Sequence, residues 1–194
     1  NKKEIKEKYG LSGKNVILYY GALRKQKGVD YLIQSIPIVR KINPNTKFIF
    51  LIRSSETPEV FKKYEDMINQ LECGDIVELS YRDVIIEDYV SMADAVVLAY
   101  PNLIGTEGNP SCLLESLAAK TPVVTTSLKE LKEIVTHEKD VLMATPGDIT
   151  SLAENITRLL NDSVLQQKIQ QNGIIKAKEF STEKIANQFL ELYH

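Results

Sequence analysis

The chain has 194 residues, of which 43% are hydrophobic and 26% are charged, and this size and composition are typical of one globular domain with a substantial core. Its formal net charge of −2, with both signs mixed along the sequence, argues against binding to nucleic acid or to an anionic membrane surface. Two cysteines, Cys73 and Cys112, are too few for a disulfide framework and lack the spacing of a metal site, which favours a reducing, cytoplasmic setting.

The N-terminal segment NKKEIKEKYG is polar and has no apolar run of the kind found in a secretory signal. We expect residues 1–14 to be a linker or a peripheral helix and residues 15–194 to be one domain. Because the chain lacks an initiator Met, we also expect it to be part of a longer protein. Its longest apolar runs, such as AVVLAY, are too short to cross a bilayer.

Short apolar runs rich in β-branched residues predict six strands. In chain order they are residues 15–20, 47–52, 76–79, 95–100, 122–127 and 141–146, the last a short edge strand. Amphipathic segments predict helices over 27–42, from Pro58 to about Leu71, over 85–93, around Glu115 and in three segments after residue 147. Candidate N-cap residues are Ser111, Asp148, Ser163 and either Ser181 or Thr182.

This alternation predicts an α/β fold: a Rossmann-like three-layer sandwich with a mostly parallel six-stranded sheet, helices on both faces and a helical C-terminal segment. Ligands of such sheets bind outside the carboxyl ends of the strands. The candidate site therefore lies among the loops that follow strands, which are residues 21–27, 53–58, 80–84, 100–111 and 126–130.

The loop at 100–111 carries two carboxylates toward this edge of the sheet. Glu107 stands in the glycine-framed stretch GTEGNPS, and Glu115 lies one turn inside the helix that follows. Helical side chains lean toward the N-terminus, so Glu115 can reach the same crevice as the first N–H groups of its helix. Carboxylates beside amide donors suit a sugar linked to phosphate. The alternative is a solvated loop residue and a glutamate favoured by the helix dipole.

The spacing of eight residues does not by itself distinguish these interpretations. Two other glutamate pairs, Glu130/Glu138 and Glu183/Glu191, have the same separation.

The loop at 21–28, GALRKQKG, carries three cations between Gly21 and Gly28: Arg24, Lys25 and Lys27. A lysine at the start of a helix opposes the helix dipole, and an anionic ligand would remove that conflict. The alternative is a solvated basic turn. Neither GxxxxGK[ST] nor GxGxxG is present, which argues against those two routes to nucleotide binding.

The third candidate loop, SYRD, offers an aromatic platform and a guanidinium donor in Tyr81 and Arg82, although a packed tyrosine explains the first equally well. The two histidines, His137 and His194, form no triad or metal cluster with other residues of the sequence, and no serine stands in a GxSxG turn.

Taken in order, several segments resemble the C-terminal, donor-binding domain of group 1 (family-4) glycosyltransferases of the GT-B fold. The segments are YYGALRKQKGVDYLI, SMADAVVLAYPN, EGNPSCLLESLAAKTPVV, VLMATPGDITSLAENITRLLND and FSTEKIANQFLELY. The most specific is EGNPSCLLES followed by AAKTPVV, because its glutamates match the E-x7-E motif of that family. The resemblance covers essentially the whole chain.

The resemblance implies a nucleotide-sugar-binding domain and a role for each matching residue. It implies catalytic roles for Lys27 and Glu107. The implied diphosphate-binding residues are Gly21, Arg24, Lys25, Lys27, Ser111 and Cys112. The implied sugar-binding residues are Glu107, Gly108, Asn109 and Pro110, the implied ribose-binding residue is Glu115, and the implied base-binding residues are Arg53, Ser80, Tyr81 and Arg82. It implies no metal and no cofactor besides the UDP- or GDP-linked donor, and no DxD pair is present.

Three positions depart from the pattern of that family. Ala22 stands where an arginine usually follows the first glycine, so Arg24 or Lys25 would have to replace a diphosphate contact. RSSET follows the second strand where glycine is usual, and Lys120 stands where a glycine often precedes TPVV. These departures leave open the identity of the donor and whether activity is complete.

The implied reaction transfers a sugar from a nucleoside diphosphate sugar to a glycan, lipid or polysaccharide precursor, with retention of configuration. The acceptor site belongs to an N-terminal domain outside this chain, so we expect the domain alone to be inactive. That missing domain would also mediate any peripheral membrane association, at the cytoplasmic face. The alternatives are a separately encoded nucleotide-sugar-binding subunit or regulatory module, and a GT-B epimerase or phosphorylase.

Overall fold

The computed structural model describes residues 1–52, 56–81, 84–104 and 110–192. Its strands are β1 Asn15–Gly21, β2 Thr46–Ile52, β3 Val77–Ser80, β4 Ala95–Val97, β5 Val123–Thr126 and β6 Leu142–Ala144. Its α-helices are α1 Lys2–Lys8, α2 Val29–Ile42, α3 Pro58–Gln70, α4 Ile86–Met92, α5 Ser111–Ala118, α6 Lys129–Ile134, α7 Ile149–Asn161, α8 Ser163–Glu179 and α9 Thr182–Leu192, with a 3₁₀ turn at Lys25–Lys27.

The six strands form one sheet in the order β3-β2-β1-β4-β5-β6, and every pairing between them is parallel. β1 pairs with β2 along its whole length and with β4 on its other side, where Ile17 faces Ala95. The chain therefore builds the sheet outward from β1 to β3 and then crosses back to β4. This reversal creates a crevice between the carboxyl ends of β1 and β4, the place where sheets of this kind bind ligands.

Alternate residues of β1 supply the two faces of the sheet. Ile17 and Tyr19 belong to a core cluster that also contains buried residues of α2, α3 and α7. Val16, Leu18 and Tyr20 belong to a second core cluster on the opposite face, the second face of the sheet, which includes buried residues of α4, α5 and α6. Both faces of the sheet are thus covered, which confirms the predicted three-layer α/β sandwich.

Helix α2 presents the apolar face that its spacing predicts. Val29, Leu32, Ile33, Ile36 and Val39 are all buried, and the helix continues through Pro37 to Ile42.

The local predictions differ from the structure at α6, β4 and α8. Helix α6 had not been predicted as a separate element. Strand β4 ends at Val97 rather than residue 100, and beyond it the hydroxyls of Thr125 and Thr126 donate to the carbonyls of Leu98 and Tyr100. The N-cap of α8 is Asp162, whose carboxylate accepts from the N–H of Leu165, and Ser163 is the first helical residue. The predicted cap Asp148 does accept from Ser151.

Helix α1 lies against α4 at the edge of the second face. Lys2 and Lys6 both pair with Asp94, at 2.8 and 2.5 Å, and Asp94 also accepts from the backbone N–H of Val16 at 2.7 Å. Ile5 and Tyr9 pack onto the second core cluster. Residues 1–10 are therefore joined to the sheet by both charge and apolar contact. Within the described ranges, no helix has the length and apolar character needed to cross a membrane.

Lys120 adopts a left-handed backbone conformation, φ 60°, directly after helix α5. Its N–H donates to the carbonyl of Leu117, and the N–H of Thr121 donates to that of Ser116, the pattern of a Schellman C-cap. Replacing Lys120 by glycine should raise the free energy of unfolding by about 0.5–1 kcal/mol, because glycine adopts this conformation without a Cβ clash. Urea unfolding measures the change.

Lys120→Ala is the matched control, because it removes the charge and keeps the Cβ. It should leave stability within about 0.5 kcal/mol of the wild type. Equal stabilisation by alanine and glycine would show that the lysine charge, not the backbone conformation, is unfavourable here.

Candidate functional site

Close contact between two backbones sets the geometry of the crevice between β1 and β4. Gly28 has φ +74°, and a Cβ placed on it would lie 1.7 Å from the carbonyl oxygen of Ala99, just beyond β4. Only a residue without a side chain allows this approach. The loop at residues 21–28 is therefore pressed against the segment that leaves β4.

Lys27, the residue before this glycine, extends over that segment. Its Nζ lies 5.4 Å from the centroid of the Tyr100 ring, within the range of a cation–π contact. Lys27 is half-buried, whereas Arg24 and Lys25 in the same loop are exposed. Of the three cations predicted at this site, Lys27 is thus the one fixed in the crevice.

The rest of the loop is fixed by hydrogen bonds from outside it. The hydroxyl of Tyr19 donates to the carbonyl of Ala22, and the N–H of Leu23 donates to Oε1 of Glu56 at 3.0 Å. Glu56 follows β2 in sequence and was not among the predicted site residues. A lone glutamate in a polar loop gives no sequence signal for such a contact, because its partner lies 33 residues away.

The N-terminus of α5 lies on the other side of the crevice. Pro110 is the N-cap and is buried, and Ser111 is the first helical residue, so the prediction that Ser111 caps the helix was wrong. Proline fits this position because its φ is already fixed near the value required. The first N–H groups of a helix have no partner within it, and they give this end a positive potential.

The pKa of the Cys112 thiol depends on the charges near the N-terminus of α5. Burial raises the pKa of its thiol, the charge of Glu115 raises it further, and the charge of Lys27 lowers it. The thiol therefore experiences both the carboxylate of α5 and the cation of the loop after β1. The structure thus brings together Lys27, Cys112 and Glu115, three of the residues that the sequence placed in one site.

Glu115 is exposed, but one of its oxygens has a partner. Oε2 lies 3.2 Å from the hydroxyl of Tyr20, which also lies 2.9 Å from the carbonyl oxygen of Cys112 and 3.1 Å from the hydroxyl of Ser116. Tyr20 is buried, and burial raises the pKa of its phenol well above the usual range. The apolar run NVILYY gave no indication that Tyr20 would reach this site.

The predicted base-binding loop is described at two residues. Ser80 is buried at the end of β3. Tyr81 is 62% exposed, and its ring meets that of Phe61 edge-on, with 5.3 Å between centroids. One face of an exposed, laterally supported aromatic ring remains suited to stacking.

Five predicted site residues lie outside the described ranges: Arg53, Arg82, Glu107, Gly108 and Asn109. The predicted sugar-binding group is accordingly represented by Pro110. In the parts of the chain that the structure describes, no three His, Cys, Asp or Glu side chains are grouped to hold a metal ion.

Comparison with known proteins gives one consistent result. The family model described as glycosyl transferases group 1 matches residues 1–176. The capsular polysaccharide biosynthesis glycosyltransferase CapM of Staphylococcus aureus is 28% identical over 98% of this chain and 49% of its own length. The chain spans about half the length of the curated relatives it matches.

Two solved structures share the fold. Anabaena Alr3699/HepE in complex with UDP-glucose has a TM-score of 0.86 at 20% identity, covering 99% of this chain and 52% of that one. The C-terminal domain of a group 1 glycosyl transferase, LpcC from Francisella tularensis, has a TM-score of 0.78 at 21% identity, covering 92% of this chain and 91% of that one.

Proposed function

We propose that this chain, which belongs to the group 1 glycosyl transferases, is the donor-binding half of a retaining glycosyltransferase that uses a nucleoside diphosphate sugar. The observation that carries the proposal is geometric and lies where the strand order reverses. The close contact of Gly28 with Ala99 places Lys27 over the ring of Tyr100, and Tyr20, near the end of β1, contacts the first turns of α5 at Cys112 and Glu115. A cation, a helix N-terminus and a carboxylate match the diphosphate and hydroxyl groups of such a donor.

Each part of the donor has a place in this proposal. The diphosphate lies between Lys27 and the first turn of α5, where Ser111 and Cys112 supply backbone donors. Glu115 accepts hydrogen bonds from the ribose, and Tyr81 stacks on the base. Glu107, Gly108 and Asn109 bind the sugar with Pro110. UDP-glucose in the HepE complex supports a nucleotide-sugar ligand for this fold.

The chemistry follows from where charge develops. As the bond between the sugar and the diphosphate breaks, negative charge accumulates on the leaving nucleoside diphosphate. Lys27 and the helix N-terminus stabilise this charge more in the transition state than in the ground state, which is the condition for accelerating the reaction. Cationic and amide groups suffice for this stabilisation, so we propose a transfer that requires no metal.

The second half of the enzyme supplies the acceptor site. The chain spans about half of each relative, and its likeness to an isolated C-terminal domain supports assignment to that half. We propose that the chain alone binds the donor without transferring its sugar, and that the complete protein acts in the cytoplasm, where the other half also mediates any contact with the membrane face.

Titration of the chain with UDP, GDP and their sugar conjugates tests the proposal. We expect saturable heat with at least one nucleotide. At one hundred times its dissociation constant, that nucleotide should raise the melting temperature by about 5–10 °C, since such saturation stabilises the folded state by about 2.7 kcal/mol. No heat and no thermal shift with any of the four ligands would exclude a donor site.

Lys27→Ala should weaken nucleotide binding by about 10-fold or more, because it removes the cation fixed beside the diphosphate. Lys168→Ala, an exposed lysine on α8, is the matched control and should bind as the wild type does. Equal losses in the two variants would mean that net charge, not the position of Lys27, determines affinity.

A further inference from the structure

Tyr20, the last residue but one of strand β1, links that strand to the helix that carries Glu115. Its buried ring lies among the second core cluster, and its hydroxyl reaches the first turns of α5. Three polar atoms of α5 surround that hydroxyl: the carbonyl oxygen of Cys112, Oγ of Ser116 and Oε2 of Glu115. A phenol has one proton to donate, so these contacts compete.

The competition favours the carboxylate. Ser116 Oγ already donates to the carbonyl of Cys112 at 2.7 Å, and this carbonyl also lies within the hydrogen-bond ladder of helix α5. A carbonyl oxygen has two lone pairs, which these two donors occupy. Two acceptors remain for the tyrosine proton, Ser116 Oγ at 3.1 Å and Oε2 of Glu115 at 3.2 Å. The serine hydroxyl is neutral, whereas a carboxylate forms the stronger, charge-assisted hydrogen bond, so the proton goes to Glu115.

We propose that Tyr20 is a positioning residue that holds the Glu115 carboxylate in the orientation needed to accept two adjacent ribose hydroxyls. This inference rests on the proposed donor site. Glu115 is exposed, so without a fixed partner its carboxylate would rotate freely and lose that freedom only on binding. Tyr20 restrains Oε2 in advance and leaves the remaining lone pairs for the ligand.

The hydroxyl of Tyr20 remains a hydrogen-bond donor across the physiological range of pH. Burial raises the pKa of Tyr20, so the phenol stays protonated and continues to donate to Glu115. The same burial fixes the ring, because Tyr20 packs in the core and cannot follow a moving side chain. A rigid, protonated hydroxyl next to an exposed carboxylate can hold that carboxylate in one orientation.

The competing interpretation is that Tyr20 only anchors α5 to β1. Two contacts suit that role: its hydroxyl lies close to Ser116, and the thiol of Cys112 donates to its carbonyl at 3.8 Å. An anchor would affect every ligand equally, whereas a positioning residue affects only ligands that Glu115 binds. The ribose hydroxyls therefore separate the two interpretations.

The test compares UDP with 2′,3′-dideoxyuridine diphosphate, or the corresponding guanosine pair if GDP binds more tightly. In Tyr20→Phe, the ribonucleotide should bind about 3- to 10-fold more weakly, the net contribution of one ordinary hydrogen bond, while the dideoxy analogue changes less than about 2-fold. In a Glu115→Gln background, adding Tyr20→Phe should change ribonucleotide affinity less than about 2-fold. Isothermal titration calorimetry gives all of these constants.

A second variant leaves Tyr20 in place. Ser116→Ala vacates a lone pair on the Cys112 carbonyl, which lies 2.9 Å from the tyrosine hydroxyl. The tyrosine proton should then turn from Glu115 to that carbonyl, and the preference for the ribonucleotide over the dideoxy analogue should fall about 2- to 4-fold. An unchanged preference in a folded Ser116→Ala variant would count against the proposal even if Tyr20→Phe failed to fold.

Tyr64→Phe is the control for removing a phenol hydroxyl. Tyr64 is buried on α3, on the opposite face of the sheet from Tyr20, and the variant should bind both nucleotides within about 2-fold of the wild type. Equal losses for the two ligands in Tyr20→Phe, a loss that persists in Glu115→Gln, or a matching loss in Tyr64→Phe would each overturn the proposal. A wild type that binds neither nucleotide would instead refute the donor site, and this inference with it.

Discussion

Replacing Gly28 by alanine is expected to lower the free energy of unfolding by about 4 kcal/mol or more, among the largest effects of a single methyl group. The added Cβ would lie 1.7 Å from the carbonyl oxygen of Ala99 and 2.3 Å from its carbonyl carbon. Both are backbone atoms next to a central strand, so they cannot move aside as a side chain could. Urea unfolding followed by circular dichroism measures the loss.

The sequence contains a close control for this prediction. Gly13 has φ +73°, nearly that of Gly28, but a Cβ placed on it meets no atom within 4 Å. Gly13→Ala therefore includes the backbone strain without the collision, and it should cost about 1 kcal/mol. The difference between the two variants is the cost of the collision between the new Cβ and the backbone of Ala99. Similar losses in both would show that φ alone requires Gly28.

Gly28→Ala should also abolish nucleotide binding in whatever fraction still folds. The collision separates residues 21–28 from the segment after β4, and Lys27 then leaves its position over the ring of Tyr100. Retention of wild-type affinity in a folded Gly28→Ala protein would contradict a role for this contact in placing Lys27.

Replacing Glu115 by alanine is expected to weaken binding of the bare nucleoside diphosphate by about 30- to 100-fold. The change removes charge-assisted hydrogen bonds to the ribose, which together contribute about 2–3 kcal/mol. Because Glu115 is exposed, its removal should leave the melting temperature of the free protein nearly unchanged. Calorimetric titration with the nucleotide and with its sugar conjugate measures both affinities.

Glu107→Ala should give the opposite selectivity. We expect it to weaken the sugar conjugate more than the bare nucleotide, because Glu107 is proposed to bind the sugar rather than the ribose. Glu130→Ala, an exposed glutamate on α6, is the control for loss of a carboxylate and should bind both ligands as the wild type does. If Glu115→Ala spared the nucleotide and Glu107→Ala weakened it, the two assigned roles would be reversed.

Local patterns in the sequence predicted the elements well because each element carries its own periodicity. The helical spacing in α2 identified its buried face residue by residue, and the continuous apolar runs identified strands covered on both sides. Where a predicted boundary was wrong, the reason also lies close to that boundary. Strand β4 is shorter than its apolar run, because apolar character continues through residues that are buried without being part of the strand, such as Leu98, Ala99 and Tyr100.

Only those residues of the candidate site that stand in a recognisable local pattern could be predicted from the sequence. Lys27 and Glu115 were predicted because a cationic glycine loop and a glutamate near a helix start are recognisable, together with the resemblance to a known family. Tyr20 and Glu56 were not found. Each acts through a partner far along the chain, 95 residues away for Glu115 and 33 for Leu23.

The sequence by itself determined the layers of this protein and the edge of the sheet at which its loops gather. Hydrophobic spacing fixes which face of each element is buried, and chain direction fixes which loops follow the strands. Only the tertiary structure decided which residues meet there. The contacts of Gly28 with Ala99 and of Tyr20 with Glu115 depend on the order and register of the strands, and these are set by the packing of the whole core rather than by any local segment.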